Sequence, residues 1–429
     1  MPPTPWKWRF VIAAAIAGIA ALAYFCQAAF APSPGAGLRL QAGAGILCFL
    51  GIAALFSKSL QSVSRKTLLW GIALQVALAV AVIHSAEVQA VFRGIGTGIR
   101  ALIDASDQGA KFVFGELADP VPPPSAGIGG AGGGPMIAAE LERRPPRPFV
   151  FAFKALPPII FVSAFFSVLY YFGILQFFVR LFARAMKYIM GTSGAETLSV
   201  SANVFMGQTE APLIVKPFVP LMTRSELLAL MSSGMAHISG GMMAVYISYG
   251  ADPVSILCTC VMACPSSLYL TKLIYPEAGK PLTAGETPIS VHTNYVNAMD
   301  AAASGVKDGL WLALNVAAML IAFIAFIALF DIILGGIVTG LTLDKVFGWL
   351  FAPVAFLMGV EPADCGKVGS LLGLKLAANE HVAYLTLTKS PDFAGLTERS
   401  RLLAVFALTG FANFASVGIQ LGGIGAIAP

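Results

Sequence analysis

The stretch Asn203-Val-Phe-Met-Gly-Gln-Thr-Glu-Ala-Pro-Leu-Ile-Val-Lys-Pro217 decides how this chain is read. It opens on an amide, then sets Gly207, Gln208, Thr209 and Glu210 in a row, with Pro212 behind them. On both sides the chain is too apolar for an ordinary soluble domain. Of its 429 residues, 57% are hydrophobic and 11% charged, and the mean hydropathy is +0.80. A soluble domain carries about 25% charged residues. An acid and three neutral polar groups in such surroundings need a reason, because charge inside a bilayer is expensive and marks pathways and sites.

Apolar runs fall near 10–30, 41–57, 68–84, 149–179, 226–248, 253–274, 310–340 and 401–420. Several reach the length of about 20 residues that crosses a bilayer. The fold class expected is therefore all-α and polytopic. Lys58, Arg65 and Lys66 gather in one short loop, and Arg180, Arg184 and Lys187 in a later segment. Positive loops stay in the cytoplasm, so both segments are placed there and the net charge of +5 implies no nucleic-acid partner. Lys7 and Arg9 precede a run from Phe10 to Phe30. That run reads as an uncleaved first transmembrane helix rather than a signal peptide, being long for a signal core.

Cys26, Cys48, Cys258, Cys260, Cys264 and Cys365 imply no disulfide framework. The closely spaced three lack a neighbouring His and zinc spacing, so they read as small apolar residues on a helix.

Residues 87–117 alternate Phe92, Ile95, Ile99, Leu102, Phe112 and Phe114 with Arg93, Arg100, Asp104, Asp107 and Lys111. This pattern fits one or two helices lying along the membrane interface. Residues 119–148 are rich in Pro and Gly and read as a flexible exposed loop. Residues 276–308 read as a polar loop outside the membrane.

Two stretches, 188–222 and 344–384, are moderately apolar, broken by Gly or Pro, and carry an acid: Glu210 in the first and Glu380 in the second. Short interrupted segments in corresponding positions of two halves point to a transporter's binding site. Irregular backbone survives at membrane depth only where protein or a water-filled cavity surrounds it. Asn203 and Gln208 accompany the first acid, and Asn379 the second. Asn413 and Ser416, three residues apart, share a helix face. Such groups offer donors and acceptors without a fixed cation, which suits a neutral polyhydroxylated solute. No Arg lies among them, so a phosphate is disfavoured. Phe411 is placed to stack on a ring. Each feature has a structural alternative. A lone Glu near Pro can close a helix break, Asn379 can satisfy a freed carbonyl, Phe411 can simply pack, and His237 can hold a backbone carbonyl.

The ordered set "GQTEAPL", "GMAHISGGMMAVYISYG", "NEHVAYL" and "GFANFAS" resembles the concentrative nucleoside transporter family, from about residue 41 to the end. The resemblance implies a homotrimer in the bacterial inner membrane, each protomer with a scaffold and a mobile transport domain. Two re-entrant hairpins, about 188–220 and 344–378, would meet two partly unwound helices. The implied organisation is an extra N-terminal helix over 1–40, scaffold and interfacial helices over 41–118, and the flexible loop over 119–148. A transmembrane helix over 149–187 then enters the transport region. The first hairpin and the helices after it follow over 188–275, the polar loop over 276–308, a long scaffold helix over 309–343, and the second hairpin with the last two transport helices over 344–429.

The resemblance places nucleoside contacts on Gln208, Thr209, Glu210, Glu380, Asn413 and Ser416, with Phe411 and Met242 beside the base. It places a sodium site on Asn203, Met206, His237 and Ile238, the second and last giving only backbone carbonyls. The family usually has Ser or Thr where this chain has His237. Imidazole is a poor ligand for so hard an ion and titrates near physiological pH, so H⁺ competes with Na⁺ as the coupling ion. No organic cofactor is implied. The function expected is cation-coupled nucleoside import, not catalysis. An intramembrane enzyme using Glu210 and Glu380 as acid and base, and a passive channel, are the rivals.

Overall fold

The computed structural model describes residues 1–29, 34–118, 150–154, 156–208, 211–216, 218–284 and 295–425. The Pro- and Gly-rich loop at 119–148 therefore lies outside the described residues, and so do Thr209 and Glu210. The described chain is helical throughout, with no strand. Seven stretches among the described residues are long and apolar enough to cross a membrane.

Helix α1 (Trp6–Ala29) runs against α2 (Pro34–Leu55). Its foot is tied down by Thr4, whose N–H donates to Lys58 O at 3.0 Å and whose hydroxyl donates to Ser57 O at 3.0 Å. Helix α3 (Arg65–His84) starts on Ser64, which accepts from the Thr67 N–H. Ser85 ends α3 and caps α4 (Ala86–Phe114). The amphipathic stretch at 87–117 is thus one long helix with a short 3₁₀ turn after it. It buries Gly96, Ile103, Ser106 and Ala110, which helical spacing puts on one face.

The apolar run at 149–179 is not one helix. Helix α5 (Pro157–Tyr171) ends where Gly173 takes φ +77°, and α6 (Ile174–Met190) sets off in a new direction. A left-handed residue between helices favours Gly, which has no Cβ to clash. Helix α6 buries Val179, Ala183, Met186 and Met190, and exposes Arg180 and Arg184.

Helix α7 (Gly194–Ala202) follows with all nine residues buried. The chain then turns through 203–208 and returns by way of 211–222 to α8 (Arg224–Ala236). Both feet of this excursion carry capping boxes, Ser193 with Glu196 and Thr223 with Glu226. Ser193 Oγ donates to Glu226 Oε1 at 2.5 Å, so the excursion comes back to its starting point. Lys272 Nζ fixes the same spot, lying 2.7 Å from Glu196 and 3.1 Å from Glu277. A buried cation shared between two carboxylates is costly to break, because removing one partner strands the other.

After α8 the backbone opens at 237–239 and resumes as α9 (Gly240–Ser248), which Ser239 caps. Helix α10 (Pro253–Ile274) crosses behind it, with Cys258, Cys260 and Cys264 buried and free. Helix α11 (Ala298–Ile337) is longer than the sequence suggests. Asn297 caps it, so the last eleven residues of the supposed polar loop at 276–308 belong to its first turns. Gly305 and Gly309 bring α11 onto α5. A Cβ at either position would stand 2.6 Å from Ala164 Cα or 2.7 Å from Ile160 Cα. Small residues four apart allow such backbone contact between membrane helices. Further along, α11 exposes Ile321, Ile324, Phe326 and Ile332, as a helix facing lipid does.

Helix α12 (Leu343–Leu357) packs antiparallel on α13 (Cys365–Ala377). Helix α13 ends at Ala377, and the chain turns at Ala378 and Asn379 into α14 (Glu380–Lys389), so Glu380 opens the returning arm. Lys367 Nζ donates to Asp392 O at 2.7 Å, and Thr397 Oγ1 to Asp364 Oδ2 at 3.0 Å. These bonds join the two ends of the α13–α14 excursion. Helix α15 (Glu398–Leu408) follows, the backbone opens at 409–413, and α16 (Phe414–Gly425) completes the described chain.

The two halves therefore follow one plan: lead-in helix, inward helix, polar turn, return, capped helix, break. The two breaks touch. Gly410 takes φ +109°, and a Cβ there would lie 2.8 Å from Ala236 O and 2.9 Å from Met235 O.

Candidate substrate-binding site

Each turn and each break leaves backbone groups without helical partners, so polar side chains collect there. In the second half, Asn379 Oδ1 accepts from the Val382 N–H at 3.0 Å and so starts α14. This fixes Glu380, which is 3% exposed. Asn413 Nδ2 donates to Glu380 Oε2 at 2.6 Å, and Asn413 Oδ1 accepts from the Ser416 N–H at 2.8 Å. One amide thus caps α16 with its oxygen and holds the acid with its nitrogen. Asn413 and Ser416 are both buried, and Phe411 is half-buried beside the core.

In the first half, Gln208 is buried at the turn. Its Oε1 accepts from Gln420 Nε2 at 3.3 Å, while Gln420 Nε2 also donates to Met231 O at 3.0 Å. Gly234 permits this approach, since a Cβ there would stand 2.5 Å from Gln420 Nε2 and 3.1 Å from Gln208 Cβ. Asn413, Ser416 and Gln420 are spaced three and four apart, on one face of α16. That face links the two halves, joining Glu380 at one end to Gln208 about 10 Å along, at 1.5 Å per residue. Met242 is buried on α9, as is Tyr246 one turn later. Tyr246 stacks on Tyr384 with ring centroids 4.3 Å apart.

A second polar centre lies where the first turn meets the first break. Gly240 N–H donates to Phe205 O at 3.0 Å, tying the two together. Asn203 Nδ2 donates to Ser199 O at 3.2 Å and to Ser233 Oγ at 3.1 Å. Asn203 Oδ1 is buried with no hydrogen-bond partner among the described residues. A buried orphan acceptor beside open backbone suits a hard cation, which takes oxygen ligands. Ile238 is buried here and Met206 half-buried. The His237 ring is engaged elsewhere. Its Nδ1 lies 2.8 Å from Ser233 O and its Nε2 lies 3.3 Å from Cys264 Sγ. Within this arrangement its side chain has no nitrogen left for an ion, and His237 has only backbone to offer.

Of the residues singled out from sequence, the structure brings together Glu380, Asn413 and Ser416, and separately Asn203 and His237 through Ser233. It joins Gln208 to this same set through Gln420. Three participants escaped the sequence reading. Gln420 had a legible signal, the helical spacing from Asn413 and Ser416. His381 lies with Nδ1 3.3 Å from Glu380 Oε1 and sits inside a motif already quoted. Lys375 is buried and donates to Ala407 O at 2.8 Å, beside the second break. Nothing in its apolar surroundings announced it.

Paired excursions, paired breaks and a buried polar cluster between them fit a multi-pass membrane protein of the secondary-transporter type. The comparisons say which one. Family models for the N-terminus and C-terminus of Na⁺ dependent nucleoside transporters match residues 44–117 and 255–429, and a nucleoside recognition "Gate" model matches 152–253. The nucleoside permease NupC of Helicobacter pylori is 34% identical over 394 residues, 90% of this chain and 89% of that one. Sodium/nucleoside cotransporter 1 of Mus musculus is 36% identical over 91% of this chain, which spans 59% of that protein's length. The solved structure of CNTnw in an inward-facing substrate-bound state superposes with a TM-score of 0.79 at 33% identity, covering 91% of this chain and 90% of that one. Variants of CNTnw in an outward-facing and an intermediate state superpose as well, with TM-scores of 0.79 and 0.81. The chain belongs to the Na⁺ dependent nucleoside transporter family. It is an integral, multi-pass membrane protein of a family that transports rather than catalyses.

Proposed function

We propose that this chain is a Na⁺-coupled importer of nucleosides in a bacterial inner membrane, working as a homotrimer by alternating access. The observation that carries the reading is the Asn413–Glu380 bond of 2.6 Å. It fastens the acid of one excursion to the break of the last helix, in the place a sugar would occupy. The Na⁺ enters first, on Asn203 Oδ1 and the Met206 and Ile238 carbonyls. It draws the first turn against the first break. The nucleoside follows, its ribose hydroxyls donating to Glu380 and meeting Asn413 and Ser416. Its base lies against Gln208, Thr209 and Glu210, with Phe411 and Met242 alongside. The excursions act as re-entrant hairpins, and the loaded unit moves past α2–α5 and α11 as a body. Names of relatives support Na⁺ and nucleosides, and the CNTnw structures support a conformational cycle.

Proton coupling is the second reading, favoured by the buried His237 imidazole, which reaches Asn203 through Ser233. Equilibrium binding of uridine to the purified protein separates the two. Na⁺ coupling predicts that uridine affinity rises at least tenfold from Na⁺-free to Na⁺-containing buffer. Affinity that ignores Na⁺ but follows pH favours the proton, and no binding of any nucleoside overturns the whole assignment.

A further inference from the structure

The two halves join matching helices with different chemistry. In the first half the end of the inward helix α7 meets the last turn of α8. Asn203, which ends α7, donates from Nδ2 to Ser233 Oγ at 3.1 Å. Its Oδ1 stays buried with no hydrogen-bond partner among the described residues. In the second half the last turn of the inward helix α13 meets the last turn of α15. There Lys375, a buried residue, donates from Nζ to Ala407 O at 2.8 Å. Helix α15 ends one residue later, at Leu408.

We infer that Lys375 is a positioning residue that acts as a resident cation, holding the second turn to the second break at all times, as the coupling ion holds the first turn to the first break only when bound. The inference rests on the cation site proposed above and adds an order of assembly: the second half is set before any ion arrives, and the ion gates the first half alone.

A helix leaves its last carbonyls without helical partners, and that end carries partial negative charge. Helices α8 and α15 both stop at breaks inside the protein, so a cation is favoured at either place. The first half brings a neutral amide to this joint and ends on an unpaired oxygen. The second half brings an ammonium, which makes a charge-assisted bond about twice as strong as a neutral one. Counting back five residues from each acid finds Phe205 before Glu210 but Lys375 before Glu380. The carbonyl of Phe205 takes the Gly240 N–H, and its side chain carries no charge.

A buried ammonium needs a counter-charge, because desolvation costs several kcal/mol per ion. The second half supplies one. Glu380 opens α14 just beyond the end of α13, and its carboxylate faces Lys375. Tyr384 Oη donates to Val405 O at 3.0 Å, which ties α14 to the same helix end by a neutral bond. Lys375 does the corresponding work for α13. The acid that meets the sugar and the break that carries Asn413 are therefore held in register by a charge built into the chain.

Amide hydrogen exchange of the purified full-length protein, read by mass spectrometry at neutral pH without nucleoside, tests this directly. Replacing choline by Na⁺ should slow exchange about tenfold or more across 203–206 and 237–240, and change it by less than about twofold across 374–381. Lys375→Met keeps the length of the side chain and removes the charge. Exchange across 374–381 and 404–409 should then rise about tenfold, with Na⁺ or without it. The gain in uridine affinity on adding Na⁺ should survive in this variant, because the ion acts on the other half.

Na⁺ that slows exchange across 374–381 as strongly as across 203–206 overturns the inference, and needs no variant to do so. A Lys375→Met protein as protected as the original overturns it as well, since packing would then suffice. Both results leave the Na⁺ site standing. Na⁺ without effect on 203–206 and 237–240 brings down the Na⁺ site first, and this inference with it.

Discussion

At the scale of single residues, the site is built from side chains that each satisfy two demands. Asn413 ends a helix break with one atom and holds an acid with the other. Replacing Glu380 by Gln removes the charge from that pair but keeps its shape. Lost charge-assisted bonds cost about 2–3 kcal/mol, so uridine uptake should drop about a hundredfold while a folded protein survives. Normal uptake by Glu380→Gln would remove the ribose-gripping role. Gln420→Leu tests the other end of the same helix face. It strips Gln208 of its partner, and uridine affinity should weaken about tenfold; an unchanged dissociation constant would mean that Gln208 needs no support. Glu380, Asn413 and Ser416 were legible in the sequence because polar groups in apolar runs stand out. Gln420 and His381 were harder to see. Each lies beside a more conspicuous neighbour, and only the folded chain shows which atoms they reach.

At the scale of elements, the breaks matter more than the helices. "MAHISGG" and "LTGFANFA" carry the glycine and capping residues that stop one helix and start the next, and both breaks fall there. Gly410 is a point of close approach between them. Alanine there meets a left-handed φ and two carbonyl oxygens at once. Gly410→Ala should destabilise the protein by about 1–3 kcal/mol, read as a lower melting temperature in detergent, and should depress uptake beyond what stability explains. A variant that melts and transports like the original would show that the breaks need not touch. Other boundaries were hidden for physical reasons. Gly173 divides an apolar run flanked by Phe172 and Ile174, so hydropathy passes over it. The start of α11 is polar, so composition reads it as loop although Asn297 caps it in the ordinary way. The turn before Glu380 is set by packing of α13 on α12, which spacing alone does not report.

At the scale of the molecule, two halves with one plan enclose a buried polar centre and are joined there by one face of α16, by the touching breaks and by the Tyr246–Tyr384 stack. Helix α11 and the α5 surface it touches form a long brace outside that centre. Gly309→Leu would force the α11 and α5 backbones apart, since even a Cβ lacks room. Overpacking of this kind costs about 1–3 kcal/mol. It should lower stability and the yield of assembled protein while leaving any residual uridine binding dependent on Glu380. A Gly309→Leu protein as stable as the original would mean that the brace is not required. The class of the protein was readable from hydropathy and four ordered motifs. The pairing of halves was not, because it depends on bonds between residues as distant in sequence as Gln208 and Gln420.

The most direct measurement is uptake of labelled uridine into proteoliposomes holding the purified protein, with Na⁺ and H⁺ gradients imposed separately. The account predicts that an inward Na⁺ gradient alone drives uridine above its external concentration, and that the Glu380→Gln protein fails to do so. Uptake that stops at equilibrium under every gradient, or uridine recovered in chemically altered form, would contradict it.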